Sequence, residues 1–341
     1  MSEVAFATSG STGEPVEWLR TTDQLRDEAE LVRATLLGRV DHVVSYAPTA
    51  HLYGWLYAEV LPELEGIPVT HAHTDPLAPL HLPDGARTLL VCLPSTWQLL
   101  ARRTEELARH DDVIALHSTA PATPATHRVV QQLCGTGFEA HELLGSTETG
   151  AVAHRRISPE AESVVPWRLL PDVRRRGADG PGEQQLSVAS PRLARRRGAT
   201  SPPGAWQLPD LVTWSDARTF RHLGRASHLV KVNGRRCDLR RVEELARSCG
   251  QVLDAACVAV TDALRGEHYE LYYATSDPQL DPATLRARLA RLRAQLPAPR
   301  AVHKVPRIPR SSTGKVLTPR LTAGPHKAPR PALTTEEDPC A

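Results

Sequence analysis

At 341 residues, with 41% hydrophobic and 23% charged side chains, the chain has the balance of a globular protein and length for about two domains. Its 41 basic and 39 acidic residues leave a net charge of +2 and aromatics make up only 4%, which excludes a nucleic-acid binder working through a global positive field or a stacking platform. No apolar run approaches the roughly twenty residues of a membrane span and no signal-like segment opens the chain, so a cytoplasmic protein with no membrane partner is expected.

The first informative stretch is Thr8, Ser9, Gly10, Ser11, Thr12, Gly13, Glu14 and Pro15. Gly10 and Gly13 can adopt backbone angles closed to other residues, so amide N–H groups can turn toward an anion, and the hydroxyls add donors. Serine- and glycine-rich turns are also ordinary loop material, and the spacing is not that of a Walker loop. Thr22 or Asp23 can cap a helix whose Leu25, Ala29, Val32 and Leu36 follow the 3.6 period up to Gly38. Residues 41–46, 89–93 and 113–117 read as strands, with helical material at 96–109 and 124–134. After the first of these strands comes a turn with Pro48, His51 and Gly54. The alternation predicts an α/β layer with a mainly parallel sheet, whose strand ends at the carboxyl side are where ligands bind. A further strand at 139–144 runs into Gly145, Ser146, Thr147, Glu148, Thr149 and Gly150, where a carboxylate could hold Mg²⁺ or be a solvated turn residue.

Residues 171–204, with Arg174 to Arg176 and Arg195 to Arg197, read as solvated loop charge. From Leu208 the pattern changes. Strands are expected at 208–212 and 220–223, then Gly224 and Arg225, and a helix capped by Asp238 that turns Val242, Leu245 and Cys249 inward and ends at Gly250. Strands at 255–260 and 269–275 precede a helix opened by Asp281 and Pro282, with Leu285, Leu289, Leu292 and Leu296 on one face. These form an α+β unit of about a hundred residues, large enough for a second domain. A loop from Pro309 to Lys315 closes it, and the tail beyond Leu321 is expected to be disordered. Six scattered cysteines without a C-x-x-C pair read as thiols in a reducing compartment.

Taken in order, six motifs resemble the adenylate-forming superfamily of acyl-CoA synthetases, peptide-synthetase adenylation domains and luciferases. Thr8 to Pro15 resembles the family's T-S-G-S-T-G-x-P phosphate loop, Pro48, His51 and Gly54 its P-x-x-H-x-x-G acyl-site motif, and Gly145 to Glu148 its G-x-T-E motif. Asp210 stands where the family places an aspartate on the ribose hydroxyls. Gly224 and Arg225 match the G-R pair that also reaches the ribose, and Pro309 to Lys315 the loop whose lysine bridges carboxylate and α-phosphate. The wording is closest to ligases of aryl-polyene and related acyl-carrier pathways.

The resemblance implies a large α/β domain over residues 1–224 and a mobile α+β lid over 225–321, hinged near Ser227, with 322–341 as a tail. It implies ATP and Mg²⁺ as cofactors, a small carboxylic acid as substrate, and the thiol of CoA or of a carrier protein's phosphopantetheine as acceptor. Lys315, Thr147 and Glu148 would be catalytic, with Glu148 on the metal. Thr8 to Gly13, Gly145 to Thr147, Asp210 and Arg225 would hold the nucleotide, and His51, Gly54 and Gly234 would line the acyl and pantetheine path.

Several positions depart from the pattern. The family carries an N-terminal subdomain ahead of the phosphate loop, so the chain reads as truncated, the strand leading into the loop as short or lost, and a homodimer or partner subunit as the compensation. Val16, Leu144, Ser227, His228 and Arg241 replace residues common in the family, while Thr147, Glu148, Asp210, Arg225 and Lys315 are kept. Alternative readings are an adenylate-forming amide ligase with an amine acceptor, and a non-catalytic homologue acting as a binding partner.

Overall fold

The computed structural model describes residues 2–9, 15–159, 165–177, 182–225, 228–232, 235–262, 266–292, 296–310 and 316–322. Two compact units divide at Leu223 and Gly224.

In the first unit, β1 (Glu3–Ser9) and β2 (Pro15–Thr21) pair antiparallel from Glu3 opposite Thr21 to Ser9 opposite Pro15. The strand expected to be short or lost is thus seven residues long. What holds it is the directly opposed pair Phe6 and Trp18, 5% and 6% exposed, since such cross-strand pairs are the unit of sheet stability.

The cap of α1 (Thr22–Val32) falls one residue earlier than expected. Thr21 Oγ1 accepts from Gln24 N and Gln24 Oε1 accepts from Thr21 N, each at 3.1 Å, a reciprocal capping box that satisfies two helix-end groups at once. Leu25, Ala29 and Val32 are buried as their spacing predicts, and Glu28 is buried with them. A wider turn over Arg33–Leu37 ends at Gly38, whose φ of +66° suits glycine.

β3 (His42–Ser45) leads to α2 (Leu52–Trp55), α3 (Leu61–Glu65) and the short β4 (Val69–Thr70). Then come β5 (Thr88–Cys92), α4 (Thr96–Leu100), α5 (Thr104–Leu107), β6 (Val113–His117), α6 (Pro124–Gln132) and β7 (Phe138–Ser146). The helix expected over 96–109 is therefore two short ones. Every residue of β3, β5 and β6 is buried, as in a sheet covered on both faces. Val43, Leu89, Val91, Ile114 and Leu116 pack toward α1 and the segment around α2 and α3, while Val44, Leu90, Val113 and Ala115 pack toward α4, α5 and α6. Alternate residues of each strand thereby serve two cores.

In the large sheet, among the described residues, β4, β3, β5, β6 and β7 pair in parallel. From β8 (Gly150–Arg156) the sheet turns antiparallel, because a tight turn joins it to β7 and a parallel neighbour needs a crossover of a dozen or more residues. β9 (Trp167–Leu169), β10 (Arg174–Arg176), β11 (Glu183–Ala189), β12 (Arg195–Arg196), β13 (Trp206–Trp214) and β14 (Thr219–Arg225) follow. Among the described residues the large sheet has 11 strands in the order β10-β11-β13-β14-β9-β8-β7-β6-β5-β3-β4, and β12 joins β2 and β1. The arginine-rich stretch read as solvated loop thus carries three strands, and its Arg192 is 1% exposed.

The second unit opens its own elements with the hairpin β15 (Leu229–Val232) and β16 (Arg235–Asp238). Asp238 caps α7 (Leu239–Ser248), its Oδ1 accepting from Arg240 N at 3.0 Å. β17 (Val252–Asp262) and β18 (Gly266–Thr275) pair antiparallel, α8 (Pro282–Leu292) follows, and β19 (Ala301–Lys304) joins β18 in parallel before α9 (Thr318–Thr322). Ala246, Leu271, Tyr273, Leu285 and Leu289 form the core between α7, α8 and the sheet. Leu292 is 49% exposed, so the buried face of α8 is shorter than its leucine spacing predicts. Among the described residues no helix is long and apolar enough to cross a membrane.

Gly54 gives a stability prediction. A Cβ there would lie 2.1 Å from Pro48 O and 2.9 Å from Ala47 O, both backbone atoms, so α2 can approach that turn only with glycine. Gly54→Ala is expected to destabilise by about 1–3 kcal/mol, read by thermal unfolding. An unchanged transition would refute the packing argument.

Candidate functional site

The carboxyl ends of β3, β5, β6 and β7 form one edge of the sheet, and two sequence motifs lie there. The first follows β3. His51 is half-buried at the N-cap of α2, where its N–H donates to Pro48 O at 3.3 Å and its carbonyl accepts from Trp55 N at 2.8 Å. Burial lowers the His51 imidazole below its ordinary value, so the ring is neutral near pH 7. Tyr53 reaches along the same edge, its hydroxyl donating to Leu116 O at 2.6 Å.

The second motif is the β7–β8 turn, and Thr149 shapes it. Thr149 is fully buried, its Oγ1 accepts from Ser146 N at 3.2 Å and donates to Gly150 O at 2.7 Å, and its N–H donates to Ser146 O at 3.3 Å. Gly145 lies so close to Gly150 O that a Cβ would stand 2.2 Å away. With the turn so held, Thr147 and Glu148 sit half-buried at its tip, and the Glu148 carbonyl accepts from Ala194 N at 2.8 Å.

Beneath the turn lies an ionic cluster that the sequence did not announce. Glu28 of α1, 1% exposed, takes Arg20 Nη2 of β2 at 2.7 Å and Arg192 Nη1 at 2.9 Å on Oε2, and accepts from Ala151 N at 2.7 Å on Oε1. Arg192 also pairs with Asp172 (Nε to Oδ2, 2.7 Å) and donates to Ala151 O at 2.9 Å, while Arg20 Nη2 donates to Arg192 O at 3.0 Å. Burial alone would push the Glu28 carboxyl up. The guanidiniums of Arg20 and Arg192, with the Ala151 amide, outweigh it and hold the group below its ordinary value. Gly150 has φ +67° and its missing Cβ would stand 2.1 Å from Glu28 Oε2, so the turn rests directly on the cluster. Because Arg20 is on β2, the same cluster ties the hairpin that begins and ends the Thr8 to Pro15 stretch to the Thr147–Glu148 turn.

Of the hairpin's own site residues, Thr8 is half-buried and its Oγ1 donates to Val16 O at 3.3 Å, while Ser9 closes β1. Asp210 lies on β13, 2% exposed, with His222 Nε2 of β14 2.7 Å from its Oδ1. Arg225, half-buried, closes β14. Gly10, Ser11, Thr12, Gly13, Ser227, Gly234 and Lys315 lie outside the described residues. Among the described residues no group of three or more His, Cys, Asp or Glu is placed to hold a metal by protein ligands alone.

The residues missed in sequence are Arg20, Glu28, Thr149, Asp172, Arg192 and His222. One signal was present: Glu28 is three residues after Leu25 and four before Val32, on the inward face of its own helix.

A sheet covered on both faces, with polar turns at its carboxyl edge and a hairpin locked to one of them, defines an α/β core with a ligand-binding edge. The chain belongs to the AMP-binding enzyme family, whose pattern matches residues 5–177, with the AMP-binding enzyme C-terminal domain matching 241–315. It is similar to a 4-coumarate–CoA ligase of Halorhodospira halophila, 29% identical over 322 residues, which cover 92% of this chain and 75% of that protein. A 4-coumarate–CoA ligase of Cereibacter sphaeroides is 27% identical over 254 residues, 74% of this chain and 55% of the relative. The chain thus spans between about half and three quarters of these two ligases. Among solved structures, O-succinylbenzoate coenzyme A synthetase of Bacillus subtilis, in complex with ATP and magnesium ion, shares the fold with TM-score 0.72 at 18% identity, covering 93% of this chain and 69% of that chain. These curated relatives are CoA ligases, and they support acid–thiol ligation by way of an acyl-adenylate.

Proposed function

We propose that this chain activates a small carboxylic acid with ATP and passes the acyl group to the thiol of CoA or of a carrier protein's phosphopantetheine. A carboxylate oxygen forms the bond to the α-phosphorus as the bond to pyrophosphate breaks. The thiolate then bonds to the acyl carbon and AMP leaves. No protein nucleophile is required, so catalysis is positioning and charge neutralisation.

The observation that carries this reading is the Arg20–Glu28–Arg192 cluster, which fixes the hairpin of the phosphate-loop motif to the turn bearing Thr147 and Glu148. In the proposed roles, Thr8 to Gly13 cradle the β- and γ-phosphates, and Gly145, Ser146 and Thr147 face the nucleotide. Asp210 and Arg225 hold the ribose, and His51 and Gly54 form the acyl wall. Lys315 bridges carboxylate and α-phosphate, Ser227 is the hinge, and Gly234 lines the pantetheine path. Glu148 suits Mg²⁺, which is bound through one or two carboxylates with substrate phosphates, and the ion when bound neutralises phosphate charge. Residues 1–224 would form the core, 225–321 the lid and 322–341 a tail, in a cytoplasmic protein that acts as a homodimer or with a partner subunit. Light scattering that reads a monodisperse monomer counts against the last point.

The test is ATP–pyrophosphate exchange over a panel of aryl, aliphatic and amino acids, followed by acceptor trials with CoA, holo carrier protein and amines. Acid-dependent exchange with thioester formation is the expected result. No exchange with any acid would refute adenylation, and amide without thioester would move the acceptor to an amine.

A further inference from the structure

We infer that His222 is a positioning residue that fixes the carboxylate plane of Asp210 toward the ribose, and so governs how strongly the site distinguishes ATP from its deoxy analogues. This rests on the proposed reading of Asp210 as the ribose contact.

The Asp210 side chain is almost fully buried, and a buried carboxylate is stable only when hydrogen-bonded or paired. The torsion about its terminal bond is broad, so nothing intrinsic to aspartate sets the plane of its two oxygens. His222 supplies that constraint. Its Nε2 lies 2.7 Å from Asp210 Oδ1, and since a carboxylate only accepts, Nε2 carries the hydrogen.

The imidazole is held in turn by a ladder of side chains. Its ring packs against Trp167 of β9, with centroids 6.4 Å apart and planes tilted by 58°. Over the Trp167 ring stands the guanidinium of Arg155 of β8, 4.7 Å from the centroid, a cation–π contact. Arg155 Nε donates to Glu142 Oε2 of β7 at 2.7 Å, and Glu142, 2% exposed, accepts from Ala122 N at 2.9 Å with its other oxygen. Asp210, His222, Trp167, Arg155 and Glu142 therefore stand on β13, β14, β9, β8 and β7, five strands adjacent in the sheet. Each rung limits the rotamers of the next, and such networks stiffen as they polarise one another. The ladder ends on the strand that runs into the Thr147–Glu148 turn, so the ribose contact and that turn are referenced to one rigid frame.

Two variants of the full chain separate positioning from packing. His222→Phe keeps a ring against Trp167 and removes the donor, and His222→Gln keeps an N–H donor of similar reach. Titration calorimetry with ATP, 2′-deoxy-ATP and 3′-deoxy-ATP, alongside thermal unfolding, reads the result without the acid substrate. The wild-type chain is expected to bind ATP more tightly than at least one deoxy analogue. In His222→Phe, ATP affinity should fall about tenfold, as for loss of a hydrogen bond to a charged group, and approach that of the analogue, whose own affinity stays within about twofold. His222→Gln should restore the preference.

A wild-type chain that binds ATP and both analogues equally, or does not bind ATP, overturns the ribose reading of Asp210 and this inference with it. A preference that survives in His222→Phe overturns the role of His222 alone. Equal loss of ATP and analogue affinity in both variants, accompanied by a lowered unfolding transition, would likewise overturn it by making His222 a packing residue.

Discussion

Replacing Glu28 with glutamine is expected to destabilise the first unit by about 3–5 kcal/mol, the cost of removing one partner from a buried ion pair and leaving the other charge uncompensated. Two buried guanidiniums, Arg20 and Arg192 at 0% and 1% exposed, lose the Glu28 charge they share. Asp172 still pairs with Arg192, so Arg20 is the group left worst off. The pH dependence has a definite sign. The folded Glu28 carboxyl titrates below its ordinary value of 4.5, so its contribution is fully present above that value and is lost as pH falls through the lower folded value. Urea unfolding of the wild-type chain should weaken over that acid window, and the glutamine variant should weaken less steeply. Parallel pH profiles for the two proteins would contradict the ionic account. Pyrophosphate exchange should fall with stability, because the cluster locates both the hairpin and the Thr147–Glu148 turn.

Lys315→Ala is the change with the largest expected effect on chemistry. In the proposed mechanism its ammonium stands between the attacking carboxylate and the α-phosphate, where charge redistributes as the bond to pyrophosphate breaks. Loss of one such preorganised group costs on the order of 10²–10³-fold in turnover. Exchange should drop by at least that factor while the unfolding curve stays in place. The thiol-transfer half-reaction, started from preformed acyl-adenylate, should proceed. Exchange at the wild-type rate would remove Lys315 from the first half-reaction.

Local pattern carried a large part of the fold. The strands at 113–117 and 269–275, the capping of α7 by Asp238 and the breaks at Gly38 and Gly250 depend on a few neighbouring residues, so apolar period and turn chemistry suffice to read them. The order of six motifs was legible for the same reason. Pairing direction beyond β7 was not, because it depends on how the chain returns over residues 150–225 rather than on any one strand's composition. The arginine runs themselves are exposed or half-buried, as solvated charge should be, and what the stretch hid was its strands and Arg192, a charged residue outside both runs that partners far away in sequence bury.

The sequence by itself therefore determined the family, the parallel half of the sheet and the order of the proposed nucleotide and acyl motifs, since each is written in contiguous residues. Only the tertiary structure decided what holds those motifs in place. Arg20 and Arg192 are 172 residues apart and meet on one carboxylate, and Asp210 meets His222 only because β13 and β14 are neighbours. Whether a charge is a surface ornament or a buried anchor is set by the partners that desolvate it, and the fold alone assembles those partners.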